Sequence, residues 1–387
     1  MEAPASNKSH YRMSLLLSLS EIGEAAWNDF LQRHQAYHPF LSYAFLHALH
    51  ESGSANEDTG WRMCFLMAWQ DDVLVGALPL YEKMHSYGEY VFDWSWANAH
   101  QQHGINYYPK LLSAIPFTPI ECNKLICSDA QVRTALINAL IELQTQHGYS
   151  SSHVLFVSEN RLAEFKERGF LQRLGVQFHW HNQNYPDFDA FLAQLSPKKR
   201  KNIRYERRKV AEQNVRFVQL RGADITLDDW TFFKRCYDHT YHAHHSTPYL
   251  NLDFFLRIGK SMPEHILLIL AIKDDTKIAA SLLIYDEQRV YGRYWGALQE
   301  LPCLHFETAY YQSIEFCIAN KIATFEGGAQ GEHKLARGFL PTTTYSVHQL
   351  SHPQFQDAVQ HFLEREQLGV GDYIQELNEH NPYKLIE

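Results

Sequence analysis

Residues 68–77 read Ala-Trp-Gln-Asp-Asp-Val-Leu-Val-Gly-Ala, and residues 271–280 read Ala-Ile-Lys-Asp-Asp-Thr-Lys-Ile-Ala-Ala; the two align without a gap. In each, an apolar run enters an acidic pair, Asp71-Asp72 or Asp274-Asp275, and leaves into a second apolar run. Turn-forming residues between two apolar runs are the composition of a β-hairpin. Each copy leads on to an aromatic stretch that reads as a further strand, Tyr90-Val91-Phe92-Asp93-Trp94 in one and Val290-Tyr291-Gly292-Arg293-Tyr294-Trp295 in the other. Two similar hairpins in the same element order predict a duplicated domain.

Working outward, the same order flanks both hairpins. In the first half the patterning predicts a strand over 11–19, a helix from about Glu21 and a second helix capped by Ser42. After the hairpin, a strand over 89–94 gives way to a loop rich in Asn, His, Gly and Pro. Helix over 129–147, strand over 153–158, helix over 159–169 and strand over 175–181 follow. In the second half a basic helix over 197–213 leads to a strand over 215–220 and helices over 227–242 and 251–259. The hairpin over 266–286 precedes a strand over 290–297, a helix over 304–320, a strand over 323–326 and a last helix over 354–379. The expected class is α/β (α+β), with each domain a mixed, mostly antiparallel sheet flanked by helices. The boundary is expected near 183–190, giving domains 1–185 and 186–387.

Composition sets limits on function. The chain has 387 residues, 45% of them hydrophobic and 14% aromatic, enough for two large cores. A formal charge of -9 argues against non-specific coating of nucleic acid, so no DNA partner is expected and any basic site must be local. The six cysteines form no C-x-x-C pair, which favours reduced, buried thiols and leaves no structural zinc site. The apolar run Met13 to Leu17 is too short for a signal segment, and no stretch approaches a membrane span. A cytoplasmic protein is the expectation; the oligomeric state is not legible.

Several segments are similar to one family. They are Leu78-Pro79-Leu80-Tyr81, His85-Ser86-Tyr87-Gly88-Glu89, Phe92-Asp93-Trp94, Tyr107-Tyr108-Pro109-Lys110-Leu111 and Pro116-Phe117-Thr118-Pro119 in the first half. In the second half they are Lys198 to Arg204, Tyr291 to Gly296, His305-Phe306-Glu307 and Gly328 to Phe339. Together they resemble the FemAB-like family of predicted bacterial N-acyltransferases, within the acetyltransferase superfamily called GNAT. The resemblance implies two tandem GNAT-like (acyl-CoA N-acyltransferase-like) domains and transfer of an acyl or aminoacyl group to a small-molecule or peptide amine. It implies acyl-CoA or aminoacyl-tRNA as co-substrate, with no tightly bound cofactor. Superfamily enzymes that use coenzyme A carry a Gly-rich turn whose N–H groups cradle the pyrophosphate. The corresponding stretch here, Gly296 to Pro302, has one glycine and an acidic residue, Glu300.

The richest functional segment is 327–339. Glycines surround Gln330, Glu332, His333, Lys334 and Arg337. Glu332 or His333 could take a proton from an attacking ammonium, and Lys334 and Arg337 could hold a phosphate or carboxylate. Arg293, Tyr294 and Trp295 are candidates on the preceding strand, with Tyr294 as a general acid and Glu326 as a partner for Arg293. His305 opens the next helix beside them. Lys199, Arg200 and Arg204 in the basic helix would suit a phosphate-bearing donor. His239 and His242 stand three apart, but without a paired ligand motif no metal is expected. No G-x-S-x-G elbow occurs, so direct transfer fits better than a covalent acyl-enzyme. The main site is expected in the second domain and the cleft between the domains. The rival readings are a non-catalytic peptidoglycan- or peptide-binding module that keeps the fold, and an RNA-binding protein.

Overall fold

The computed structural model describes residues 11–329 and 331–384. It separates into two compact units. The first takes the chain up to His47, Ala55–Leu174 and Tyr345–Glu366; the second takes Ala48–Ser54, Gly175–Thr344 and the chain from Gln367 on. A cut between 185 and 186 does not describe them. The strand that begins at Leu171 continues past the change of unit to His181, and a C-terminal segment folds back into the first unit.

The strands of the first unit are β1 (Arg12–Leu16), β2 (Trp61–Met63), β3 (Phe65–Gln70), β4 (Val73–Leu78), β5 (Tyr81–Lys83), β6 (Lys110–Ser113) and β7 (Ser151–Val154). They form the sheet β1-β3-β4 and the series β2-β5-β6-β7, antiparallel except for β6 beside β7. The helix Ala130–His147 covers the first of these, packing Val132, Leu136, Ile137 and Leu140 against Leu66, Ala68 and Leu78. β8 (Leu171–His181) runs into the second unit. There β9 (Val215–Arg221), β10 (Ile266–Lys273), β11 (Thr276–Tyr285), β12 (Arg289–Ala297) and β13 (Thr324–Glu326) pair in the order β8-β13-β12-β11-β10-β9. Only β12 beside β13 is parallel. β14 (Leu340–Leu350) ends in the first unit, where Val347 to Leu350 pair antiparallel with β7.

The two hairpins correspond in detail. β1 pairs with β3 as β9 pairs with β10, both antiparallel. Each hairpin also carries a register shift, between Ala68 and Trp69 in one and between Ala271 and Ile272 in the other. Those are the same two positions of the ungapped alignment. A bulge redirects every side chain beyond it, so its recurrence at one aligned position is strong support for duplication. Both turns use a left-handed backbone, at Asp71 (φ 53°) and at Asp274 and Asp275 (φ 48° and 57°).

Beyond the hairpins the halves diverge. The aromatic stretch Val290 to Trp295 lies in β12 as expected, whereas Tyr90 to Asp93 form no strand and Trp94–Gln102 is a helix. Tyr90 adopts φ 62°, outside the extended region, and Glu89 and Asp93 are both drawn inward to Lys110. The expected single helix over 304–320 contains a π-helical segment, Glu307–Tyr311. Among the described residues no helix is long and apolar enough to cross a membrane.

Gly296 is required by packing. A Cβ there would lie 2.1 Å from the carbonyl oxygen of Cys236, in the helix Leu227–Ala243 that covers β12. Gly296→Ala is expected to destabilise the chain by about 1–3 kcal/mol, read as a lower denaturation midpoint in urea.

Candidate functional site

The C-terminal end of β12 owes its shape to a second bulge. Leu282 pairs with Tyr294 but Leu283 pairs with Gly292, so Arg293 is the extra residue. Past it, Trp295 stacks on His305 (ring centroids 4.9 Å, planes 29° apart), and Tyr294 turns to the helix Leu227–Ala243, edge-on to Tyr237 at 5.0 Å. Arg293 Nη2 donates to the Tyr294 hydroxyl at 3.3 Å. Tyr294 therefore belongs to an aromatic layer with Tyr237 and Phe255, and its ring neighbours differ from those of His333. The expected pairing of Arg293 with Glu326 does not form. The parallel register sets Tyr291 opposite Glu326, and Arg289 supplies the cation at 2.5 Å.

The segment after β13 winds into a 3-10 helix, Glu332–Arg337. Gly331 precedes it at φ 94°, and a Cβ there would meet His333 Cε1 at 2.3 Å. Glycine thus lets the His333 ring fold back over the turn. His333 Nε2 hydrogen-bonds the Tyr310 hydroxyl at 3.1 Å, and its ring lies 5.5 Å from Phe306 and 6.0 Å from His305. The π-helical segment presents Tyr310 to His333 and Tyr311 to Glu206 of the basic helix Pro197–Ala211. Such an insertion frequently marks a functional site.

Arg337 is buried and pins this arrangement. Its Nη2 donates to Glu206 Oε1 at 2.7 Å, its Nη1 donates to the His333 carbonyl at 2.6 Å, and its guanidinium lies 3.3 Å over the Phe306 ring. Arg337 is thus already held by a carboxylate, and so is Arg207 of the basic helix, which grips buried Glu307 and Glu315. Lys334 is buried with Nζ 3.5 Å from the Gly328 carbonyl and 5.8 Å over Phe178, and burial lowers it to about 8. Glu332 is exposed and accepts a hydrogen bond from Tyr373 at 3.1 Å. Gln330 lies outside the described residues.

Electrostatics set the imidazoles apart. Burial, followed by the charges of His333, Arg337 and Lys334, holds His305 at about 4. Desolvation against the rings, with Arg337 and Lys334, holds His333 at about 4 although its outer edge meets solvent. Both are neutral bases at physiological pH. The structure therefore gathers His305, Trp295, His333, Lys334 and Arg337, and leaves Tyr294, Glu326 and Glu332 with other partners. In the basic helix, exposed Arg204 pairs with Asp189 at 3.0 Å, while Lys199 and Arg200 are half-buried and form no ion pair among the described residues.

The sequence reading missed Glu206, Phe306, Tyr310 and Tyr311, whose roles depend on the π segment. It also missed a polar centre in the first unit. Fully buried Lys110 donates to Glu89 at 2.8 Å, Asp93 at 2.5 Å and Ser86 at 2.9 Å. The Tyr107 hydroxyl donates to Asp93 at 2.6 Å and lies 3.2 Å from His153 Nε2, whose Nδ1 meets His348 at 2.7 Å. Every contributor up to Lys110 comes from a family-like segment quoted above, so the signal was present as motif without geometry.

The Glu206–Arg337 pair makes a stability prediction. Arg337 is buried and Glu206 half-buried, so Glu206→Ala leaves the guanidinium without its carboxylate and should cost about 1–3 kcal/mol in urea unfolding. Exposed Arg204→Ala should change stability by under about 1 kcal/mol.

No curated protein sequence matches the chain. Among solved structures, FemX superposes with a TM-score of 0.55 at 10% identity, over 88% of this chain and 98% of FemX. L-PGS from Bacillus licheniformis superposes with a TM-score of 0.52 at 9% identity, over 88% of this chain and 97% of that one. At such identities these likenesses show the shared fold. A family described as FemAB-like, peptidoglycan biosynthesis/recognition, matches residues 18–385. The chain belongs to the FemAB-like family.

Proposed function

We propose that the chain is an N-acyltransferase that moves an acyl or aminoacyl group from a phosphate-bearing carrier to an amine by direct attack. The observation that carries this reading is the pair of imidazoles, His305 and His333, kept neutral beside Lys334 at the end of β12. An amine reaches an enzyme as an ammonium and attacks only after losing a proton. A neutral imidazole whose edge meets solvent can take that proton. His333 is placed to do so, with Tyr310 orienting the ring; Glu332, engaged by Tyr373, lies outside this role.

Nitrogen then attacks the carbonyl carbon, a C–N bond forms, and negative charge builds on the carbonyl oxygen. Lys334 supplies the nearby cation that stabilises it. The intermediate collapses by breaking the bond to the carrier, and the leaving thiol or ribose hydroxyl takes up a proton. The thiols support direct attack: burial pushes Cys64, Cys127 and Cys236 up to about 12, so they stay protonated and poor nucleophiles.

Lys199 and Arg200 are proposed to hold the carrier's phosphate, in coenzyme A or in tRNA. Gly296 is taken up by packing against Cys236, which weighs against a pyrophosphate turn there and favours tRNA. The family description favours an amine of a peptidoglycan precursor as acceptor.

The test is to incubate the purified chain with a lysine-containing stem pentapeptide and either acetyl-CoA or a mixed aminoacyl-tRNA pool, reading product by mass spectrometry. A mass gain of one acyl or aminoacyl group is expected, with kcat/KM lowered about 10²–10⁴-fold in His333→Ala. The productive donor identifies the carrier, and Arg200→Ala should raise its KM. No gain with either donor would overturn the proposal in favour of a non-catalytic binding module.

A further inference from the structure

The first unit contains a cavity of about 360 Å³ that the proposed transfer does not use. Local folding explains its position. The helix Ala130–His147 stops where Gly148 takes a left-handed backbone (φ 67°), and the Tyr149 N–H turns back to the Gln144 carbonyl at 3.0 Å. Ile141, Gln144, Thr145 and Gly148 recur at i, i+3, i+4 and i+7, so they share one face, and that face forms one wall. His100, from the helix Trp94–Gln102, and Leu350 and Ser351, at the end of β14, complete the lining. Thr145, Ser150 and Ser351 bring aliphatic hydroxyls to it, and each gives its hydrogen to a main-chain carbonyl. Thr145 donates to Ile141 at 2.9 Å, Ser351 to Tyr149 at 2.6 Å and Ser150 to Tyr107. Ser351 also accepts from Gln144 Nε2 at 2.7 Å. A hydroxyl has one hydrogen and two lone pairs, so what these groups leave to a ligand is lone pairs.

His100 adds a fourth acceptor at depth. It is 1% exposed, its ring lies flat on Phe355 (centroids 3.8 Å, planes 17° apart), and Nδ1 meets the Trp96 carbonyl at 2.8 Å. A carbonyl only accepts, so the hydrogen sits on Nδ1 and Nε2 carries a lone pair. Burial lowers the ring below the ordinary imidazole value and keeps it neutral. Nε2 has no partner among the described residues, and unlike Gln144 Oε1 it is not walled off from solvent. His100 lines the cavity, so that is the space its lone pair meets.

None of the residues lining the cavity is Asp, Glu, Lys or Arg. A charged ligand would lose water there without gaining a counter-charge. Ile105, Ile141 and Leu350 offer carbon surface instead. Acceptors without fixed charge call for a neutral molecule with several O–H donors and exposed C–H groups, and the volume suits a single ring. We propose that this cavity binds one residue of a neutral sugar or a cyclic polyol, whose hydroxyls donate to His100 Nε2 and to the oxygens of Thr145, Ser150 and Ser351. Binding here requires no transfer in the second unit, so the two proposals stand or fall separately.

Three neutral probes, methyl β-D-glucopyranoside, methyl N-acetyl-β-D-glucosaminide and myo-inositol, are titrated into the full chain and followed by saturation-transfer NMR. Tetrahydropyran, a ring without hydroxyls, and the ammonium-bearing methyl β-D-glucosaminide serve as comparisons. Expected is saturable binding of at least one neutral probe, with a Kd on the order of 1 mM, and weaker binding of both comparisons. His100→Phe keeps a ring to stack on Phe355 but removes the deep lone pair, and should weaken binding about tenfold. Thr145→Val, at an exposed position that leaves the fold intact, should weaken it about threefold. Failure of all three neutral probes to bind overturns the proposal, as does equal or tighter binding of either comparison. Undiminished binding in Thr145→Val, alone or together with His100→Phe, also overturns it, so the test holds even if the buried variant fails to fold.

Discussion

The pair of buried Arg337 with Glu206 is the interaction on which the second unit's site depends. A guanidinium taken out of water must find carboxylate, carbonyl or aromatic partners, and Arg337 finds all three in Glu206, the His333 carbonyl and Phe306. Those partners come from the basic helix, the 3-10 turn and the helical turn before the π segment. One side chain thereby fixes three elements that have no ladder between them. The His333 ring follows from that constraint, since its carbonyl is gripped from below, Gly331 leaves room above, and Tyr310 holds Nε2. Two of the cations expected to meet substrate or donor, Arg337 and Arg204, instead meet carboxylates of the chain.

The hairpins were legible because their signal is local: two apolar runs, a two-residue acidic turn and an aligned second copy. The bulge within them was not legible, because an extra residue leaves no mark on composition. The failure at 89–94 has a definite cause. Aromatic, β-prone residues suggested a strand, but the partners of Glu89 and Asp93 lie far along the chain at Lys110, and that long-range demand overrides local propensity. The pairing of Glu326 failed for a similar reason. The expected pair required β12 and β13 to be neighbours, which they are, yet only the register selects Arg289 over Arg293. In the segment 327–339 the sequence supplied the residue types, while burial separated the anchored Arg337 from exposed Glu332.

Duplication explains why both units share β1-β3-β4 or β9-β10-β11, and divergence explains why they differ beyond it. In the second unit the chain continues into β12 and carries its aromatic residues along the sheet, where Trp295 stacks on His305. In the first unit the corresponding stretch leaves the sheet and turns its rings outward, while its acids turn inward to Lys110. The same ancestral position has thus become a sheet strand beside two neutral imidazoles in one half and a tethered aromatic loop in the other. That contrast argues against a passive first unit, since its polar centre is buried at a free-energy cost that packing alone does not require.

The account rests on two imidazoles being neutral where Arg337 and its partners hold them. Titration of the histidine rings by NMR, in the wild-type chain and in Glu206→Gln, tests this most directly. The account predicts that His305 and His333 titrate at about 4 in the wild type. It also predicts that His333 does not rise in Glu206→Gln, because the Arg337 charge that lowers it is then left without its carboxylate. Ordinary titration of both rings near 6.5 in the wild-type chain would contradict it, because the proposed base would then carry a proton just where an incoming ammonium needs to lose one.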